Sequence, residues 1–263
     1  MLSPVINALK YNIEEIHKRR KMRVFCVGCA KTGTHYIADI FAKNYRSVHE
    51  PHARFYQAMI AQDRKLLLKL FMRVADPAYR LDVNSSHLNR YMIPLILDLY
   101  PNSSFLLSYR QCRSWLDSIM NHMIFLPLEV HWKDWAILEF GVPPYDYPSE
   151  ERLLQDRQIP PLAILLGYWE RHNRFVLDHV PSSQLLVIEL SDLFKSKNLL
   201  AEFLEIDPDS ITDKREKSFS ASGRANLLEE IAASYVDGRI EEICAPVLAR
   251  LEAARAIPRL VPS

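Results

Sequence analysis

Apolar residues along this chain alternate between short continuous runs and stretches at helical spacing. The runs at residues 22–27, 105–109 and 185–189 have the length and the flanking turn residues of buried strands, and residues 80–83 read as a further strand. Helical spacing starts near Thr34, with Ile37, Ile40 and Phe41 on one stripe, and recurs over residues 54–75, 88–100, 113–125, 163–179 and 199–204. Asp76-Pro77 is expected to stop the second helix and Pro101-Asn102 the third. Residues 227–255 read as terminal helix, interrupted around Asp237-Gly238 and Pro246. Strands alternating with helices predict an α/β fold, a central parallel sheet with helices on both faces. The chain, residues 1–263, reads as one domain. Residues 126–161, rich in proline and aromatics, form an irregular insertion, read either as a lid or acceptor-binding segment or as a packed excursion.

Composition narrows the class. Lysine and arginine total 33 against 32 for aspartate and glutamate, a formal net charge of +1, and 49% of residues are hydrophobic. That balance excludes a disordered tail and a basic nucleic-acid coat, so no nucleic-acid partner is expected. No apolar run reaches the ~18 residues of a membrane span. The first 21 residues read as an amphipathic helix with Val5, Ile6, Leu9, Ile13 and Ile16 on one stripe, followed by Lys18-Arg19-Arg20-Lys21. That basic run reads as a solvated helix end or as a membrane-surface element. Without a signal peptide's apolar block the expected location is cytoplasmic. Four scattered cysteines give no disulfide scaffold, and Cys26-x-x-Cys29 reads as structural because Cys26 lies inside a strand.

The most informative segment is residues 24–35, VFCVGCAKTGTH. A strand runs into a tight turn and then a helix N-terminus, where unpaired N–H groups and the helix dipole favour an anion. Lys31 adds a full charge, and Thr32 and Thr34 add hydroxyls. The nucleoside-triphosphate pattern G-x-x-x-x-G-K-[ST] needs lysine after the second glycine, whereas Lys31 precedes Gly33 by two residues.

Lys31-Thr32-Gly33-Thr34 instead resembles the 5′-phosphosulfate loop of sulfotransferases, K-[ST]-G-T. Arg110 at the end of a strand, followed eight residues later by Ser118, resembles that family's 3′-phosphate site, where a guanidinium fork suits a phosphate dianion. His49-Glu50-Pro51-His52 resembles the K-E-x-H-F-F segment of the carbohydrate, heparan-sulfate-type members, with His49 for the lysine and Ala53-Arg54 for the aromatic pair. Ser222-Gly223-Arg224-Ala225 resembles S-K-G-R-A without its lysine. These segments occur in family order.

The resemblance implies sulfuryl transfer from 3′-phosphoadenosine 5′-phosphosulfate (PAPS) to a hydroxyl or amine of a small-molecule or carbohydrate acceptor, with no metal. It implies Glu50 as general base, partly buried and shifted upward, Lys31 stabilising the leaving phosphate, and His52 orienting Glu50 or bonding the acceptor. Lys31, Thr32, Gly33, Thr34, His35, Tyr36, Arg110, Ser118, Gly223 and Arg224 are the implied cofactor-binding residues, with Tyr36 beside adenine. Asn84, Ser86 and His87 are expected to line the acceptor site. Pro51 is expected to hold Glu50 extended at a strand end. Two rival readings stand: a kinase-like enzyme using ATP and magnesium, and a catalytically silent nucleotide-binding protein.

Overall fold

The structure is a computed structural model that describes residues 20–125, 130–212 and 225–255. The expected N-terminal helix, and the Gly223 and Arg224 positions, lie outside the described residues.

Five strands form one parallel sheet in the order β2-β3-β1-β4-β5: β1 (Val24–Cys26), β2 (Ser47–His49), β3 (Val83–Ser85), β4 (Ser104–Tyr109) and β5 (Leu185–Glu189). Successive strand side chains point to opposite faces, and both faces are apolar here, which is why the strands read as continuous apolar runs. Val24, Cys26, Val83, Leu106 and Ile188 pack on one side with α1 (Thr34–Phe41). Phe25, Val27, Phe105, Leu107, Tyr109 and Val187 pack on the other. There they meet α4 (Asn89–Leu99), α5 (Cys112–Phe125), and α8 (Leu162–His179).

Three expectations change. The helix read over 54–75 is two helices, α2 (Ala53–Ala61) and α3 (Lys65–Tyr79), and α3 runs through Asp76-Pro77. Pro77 falls in the last turn and forfeits only the one bond its own N–H would make to Arg73 O, and the helix ends on Arg80 in the left-handed conformation. The strand expected at 80–83 accordingly starts later, at Val83. The insertion is largely ordered: α6 (Val130–Phe140) carries Trp132, Trp135 and Phe140, and α7 (Arg152–Asp156) follows. Finally, the terminal segment forms α11 (Leu227–Glu230) and an unbroken α12 (Ala233–Arg255) through Gly238 and Pro246. Val236, Cys244, Val247 and Leu251 bury one face of α12, and that packing outweighs local propensity. Two short helices complete the chain order, α9 (Leu190–Leu193) and α10 (Lys197–Leu204).

Strand β1 is followed by Val27-Gly28, and Gly28 is required by crowding. A Cβ there would lie 2.4 Å from Ser108 Oγ, 2.5 Å from Ser108 O and 2.6 Å from Thr32 Oγ1. Gly28→Ala should therefore lower stability by about 1–3 kcal/mol through overpacking. A urea midpoint lowered at constant slope checks this, and an unchanged midpoint would show that the loop yields freely.

Candidate active site

The loop between β1 and α1 lies at the carboxyl ends of the parallel strands, where open α/β sheets place ligand sites. Its shape is held from beneath by buried hydrogen bonds. His172 Nε2 lies 2.8 Å from Val27 O, Trp115 Nε1 donates to Ala30 O at 2.8 Å, and Tyr168 OH accepts from Ala30 N at 3.3 Å. Gly33 has φ +93°, a conformation that strains other residues, and a Cβ there would meet Leu190 Cδ1 at 2.7 Å. The first helical bond of α1 is Ile37 N to Gly33 O, which leaves the preceding first-turn N–H groups to face an incoming anion.

The two threonines are engaged within the protein. Thr32 is fully buried, its hydroxyl bonding Cys29 O at 2.7 Å and Ser108 Oγ at 3.2 Å. Thr34 Oγ1 lies 3.0 Å from His49 Nε2. Both hydroxyls thus hold the shape of the loop, whose charged side chain is that of Lys31. Tyr36 is only 6% exposed, its ring edge-on to Phe194 in the core beside α1, so in this structure it is a packing residue rather than an adenine platform.

Lys31 is held at φ +70°, and burial, then the nearby Arg110, lower its ammonium to about 8. Two cations are thus brought together at a cost that an anion between them would remove. Arg110 Nε donates to Ser114 Oγ at 3.0 Å, and Trp169 Nε1 holds Arg110 O at 3.1 Å. The serine bonded to Arg110 is therefore Ser114. Ser118 lies one turn further along the same face of α5, and His122 a turn beyond it. Neither ring nitrogen of the buried His122 has a hydrogen-bond partner among the described residues. Burial, then Lys31, hold its imidazole down at about 3, although Glu50 opposes. Spacing of i, i+4 and i+8 from Ser114 was the signal that would have marked His122.

Strand β2 delivers Glu50. Its backbone N donates to Ser85 O at 2.8 Å, while Ser85 Oγ donates to Thr34 O at 2.7 Å, so one buried serine ties β2, β3 and α1 together. Glu50 sits at φ +50° and His52 at φ +61°, correcting the extended conformation expected ahead of Pro51. The chain must reverse at once from β2 into α2, and non-glycine residues in this region mark strain of the kind that collects at functional sites.

Glu50 Oε1 accepts from His87 Nδ1 at 2.7 Å and lies 3.8 Å from His49 Nε2. Burial pushes the carboxyl up, but the His87 charge and hydrogen bond, with His49 and His35 behind them, outweigh it and bring the group down to about 2. The upward shift expected for this residue is thus reversed. His52 does not serve as the partner of this carboxylate: its ring packs against Tyr56, Phe71 and Tyr79. Burial lowers His35, and it lowers His49 to about 4; these two rings stack at 3.5 Å. Within the Glu50–His87 pair the carboxylate side chain is 16% exposed and the imidazole 4%, so Glu50 is the more accessible member and His87 the more buried. Trp132 and Trp135 of α6 cover His87, and a buried Arg90–Glu139 pair with Tyr91 OH on the same carboxylate anchors that helix to α4.

A sequence model of the sulfotransferase domain matches residues 23–212, from β1 to the turn after α10. The chain belongs to the sulfotransferase family. Among solved structures it is similar to a sulfotransferase from Alicyclobacillus acidocaldarius, at 18% identity over 91% of this chain and 97% of that one, with a TM-score of 0.48. It is also similar to the sulfotransferase domain from the curacin biosynthetic pathway, at 11% identity over 92% of this chain and 100% of that one, with a TM-score of 0.40. No curated protein matches the sequence. Among the described residues of this sulfotransferase no helix is long and apolar enough to cross a membrane.

Folding disfavours the charged form of Lys31, because its folded value of about 8 lies below the ordinary 10.5. That cost is full below pH 8 and fades as pH rises toward 10.5, so this residue makes stability increase with pH across that window. Lys31→Met should remove the slope and raise the melting temperature of the ligand-free protein at neutral pH. Paired pH-melting curves of the two proteins measure it.

Proposed function

We propose that the protein moves a sulfuryl group from PAPS to a hydroxyl or amine of a small-molecule or carbohydrate acceptor, with Glu50 receiving the acceptor's proton. The observation that carries this reading is the Glu50 carboxylate, ionised and bonded to His87 at 2.7 Å, in the same cluster as the loop that presents Lys31. His35 and His122 each lie within the electrostatic reach of both Lys31 and Glu50, which ties the two groups to one cleft.

The donor set suits a nucleotide phosphosulfate. The first-turn N–H groups of α1 and the Lys31 ammonium would hold its 5′-phosphate side, and Arg110 with Ser114 and Ser118 its 3′-phosphate. Bound there, PAPS supplies an activated sulfuryl group. Lys31, desolvated and close to the departing phosphate, offsets the negative charge that grows on it during transfer. The charge lost from the sulfonate, compared with a phosphoryl group, lets a lysine serve where phosphoryl transfer uses magnesium.

An ionised Glu50 needs no activation before it can accept a proton. Its low affinity for protons matters less in a transfer where the acceptor oxygen becomes acidic as its bond to sulfur forms. His87 holds the carboxylate in one orientation and keeps it charged, an orienting role of the sort a carboxylate plays toward histidine in hydrolase triads, with the members exchanged. The aromatic wall of Trp132 and Trp135 excludes water behind that pair.

Glu50→Gln should lower turnover by about 10²–10⁴-fold while leaving the binding of 3′-phosphoadenosine 5′-phosphate intact. Thermal shift with that bisphosphate, insensitive to chelator, reads the binding, and a shift seen only with magnesium-ATP would replace the cofactor assignment. At about 100 times its dissociation constant the ligand should stabilise the native state by about 2.7 kcal/mol. For His87→Leu, loss of the hydrogen-bonded partner raises Glu50 from about 2 toward the ordinary 4.5, so the acidic limb of kcat/KM against pH moves upward. An unmoved limb would remove His87 from the base's environment.

A further inference from the structure

Helix α3 presents two unlike stripes to solvent. Leu66, Leu67, Leu70 and Val74 fall within about 100° of arc, and they are the helix's outward apolar residues, Leu66 and Val74 being 73% and 72% exposed. Lys65, Lys69 and Arg73, at i, i+4 and i+8, form a basic stripe immediately beside it. The opposite face, Leu68, Met72 and Ala75, is buried against the core. Arg64 precedes the helix, also exposed. Two carboxylates temper this charge: Asp63 lies 3.2 Å from Lys65, and Asp98 lies 2.5 Å from Lys69. Asp76, further along, is engaged by Arg20 and Arg23. Arg20 and Arg23 thus add two cations beside the end of this same helix.

We propose that this face of α3 docks the protein on an anionic lipid bilayer, with the helix lying in the plane of the interface. A helix bearing leucines on one flank and lysine and arginine on the next is suited to burial at headgroup depth, its apolar stripe toward the acyl chains and its cations toward phosphate. Protein interfaces favour other residues: their energetic centres are rich in Trp, Tyr and Arg and poor in Leu and Val. The charge on the stripe is complementary to an anionic surface, and the stripe is too polar, and the helix too short of apolar residues, to cross one.

Co-sedimentation of the full chain with vesicles tests this, comparing phosphatidylcholine alone with phosphatidylcholine containing phosphatidylglycerol. The protein should pellet only with the anionic vesicles and release as salt is raised. Lys65→Gln/Lys69→Gln/Arg73→Gln should weaken partitioning on the order of 100-fold, at about fivefold per cation. Leu66→Gln/Leu70→Gln/Val74→Gln should abolish pelleting while the circular dichroism melt stays at or above that of the wild type, since these side chains are already in water. Wild-type protein left in the supernatant, equal pelleting with phosphatidylcholine alone, or a leucine variant that pellets normally each overturns the proposal. A dimer in sedimentation velocity that the leucine variant dissolves, with no vesicle binding, would assign the face to a second copy of the chain.

Discussion

The anion cradle depends on a set of buried hydrogen bonds that fix a backbone whose own ladder has run out. Past Val27, whose N–H still bonds Leu106 O, the chain leaves the sheet, and the buried carbonyls at Val27 and Ala30 must find partners elsewhere. His172 of α8 and Trp115 of α5 meet those carbonyls, and Tyr168 of α8 accepts from the Ala30 N–H, all three more than eighty residues away in sequence. An unsatisfied buried carbonyl costs more than a made bond returns, so the loop is held as much by the penalty of leaving this arrangement as by its attractions. The positive φ of Lys31 and Gly33 persists because both ends of the loop are fixed in this way.

The electrostatics of the cleft follow from enclosing several titratable groups together. Histidines 35, 49 and 122 are driven toward neutrality by burial, while Glu50 is kept ionised by the His87 contact. One carboxylate and one ammonium thus stand out against a background of mostly neutral rings. Such a background can donate or accept hydrogen bonds without competing for the charge on an anionic ligand. Lys31, its charge opposed by burial and by Arg110, is poised to gain from the arrival of that ligand.

Much of the fold was legible because parallel strands buried on both faces leave unbroken apolar runs. The strand at 185–189 and the start of α1 at Thr34 were readable to the residue. Proline and glycine misled where packing governs: α3 passes Pro77 and α12 passes Gly238 and Pro246. Local motifs singled out Lys31, Glu50 and Arg110, which lie in a turn or just past a strand end. The partner of Glu50 was not legible, because His87 reaches it only through the β2–β3 pairing, and His52, its near neighbour in sequence, is turned away by the left-handed bend. Ser114 joins Arg110 for a simpler reason: a guanidinium just before a helix meets the first turn before the second, where Ser118 lies.

All four cysteines are buried and free, two of them flanking the start of the anion loop. Burial pushes Cys26 up to about 12, and Cys29 and Cys244 are raised as well, so very little thiolate exists at these three sulfurs near neutral pH. Oxidants attack the thiolate, and they reach these sulfurs only through an opening of the core. The chemistry of the cleft is therefore insulated from the redox state of its surroundings: peroxide or disulfide stress would register in this enzyme as a loss of folded molecules, not as a graded change in the activity of those that remain.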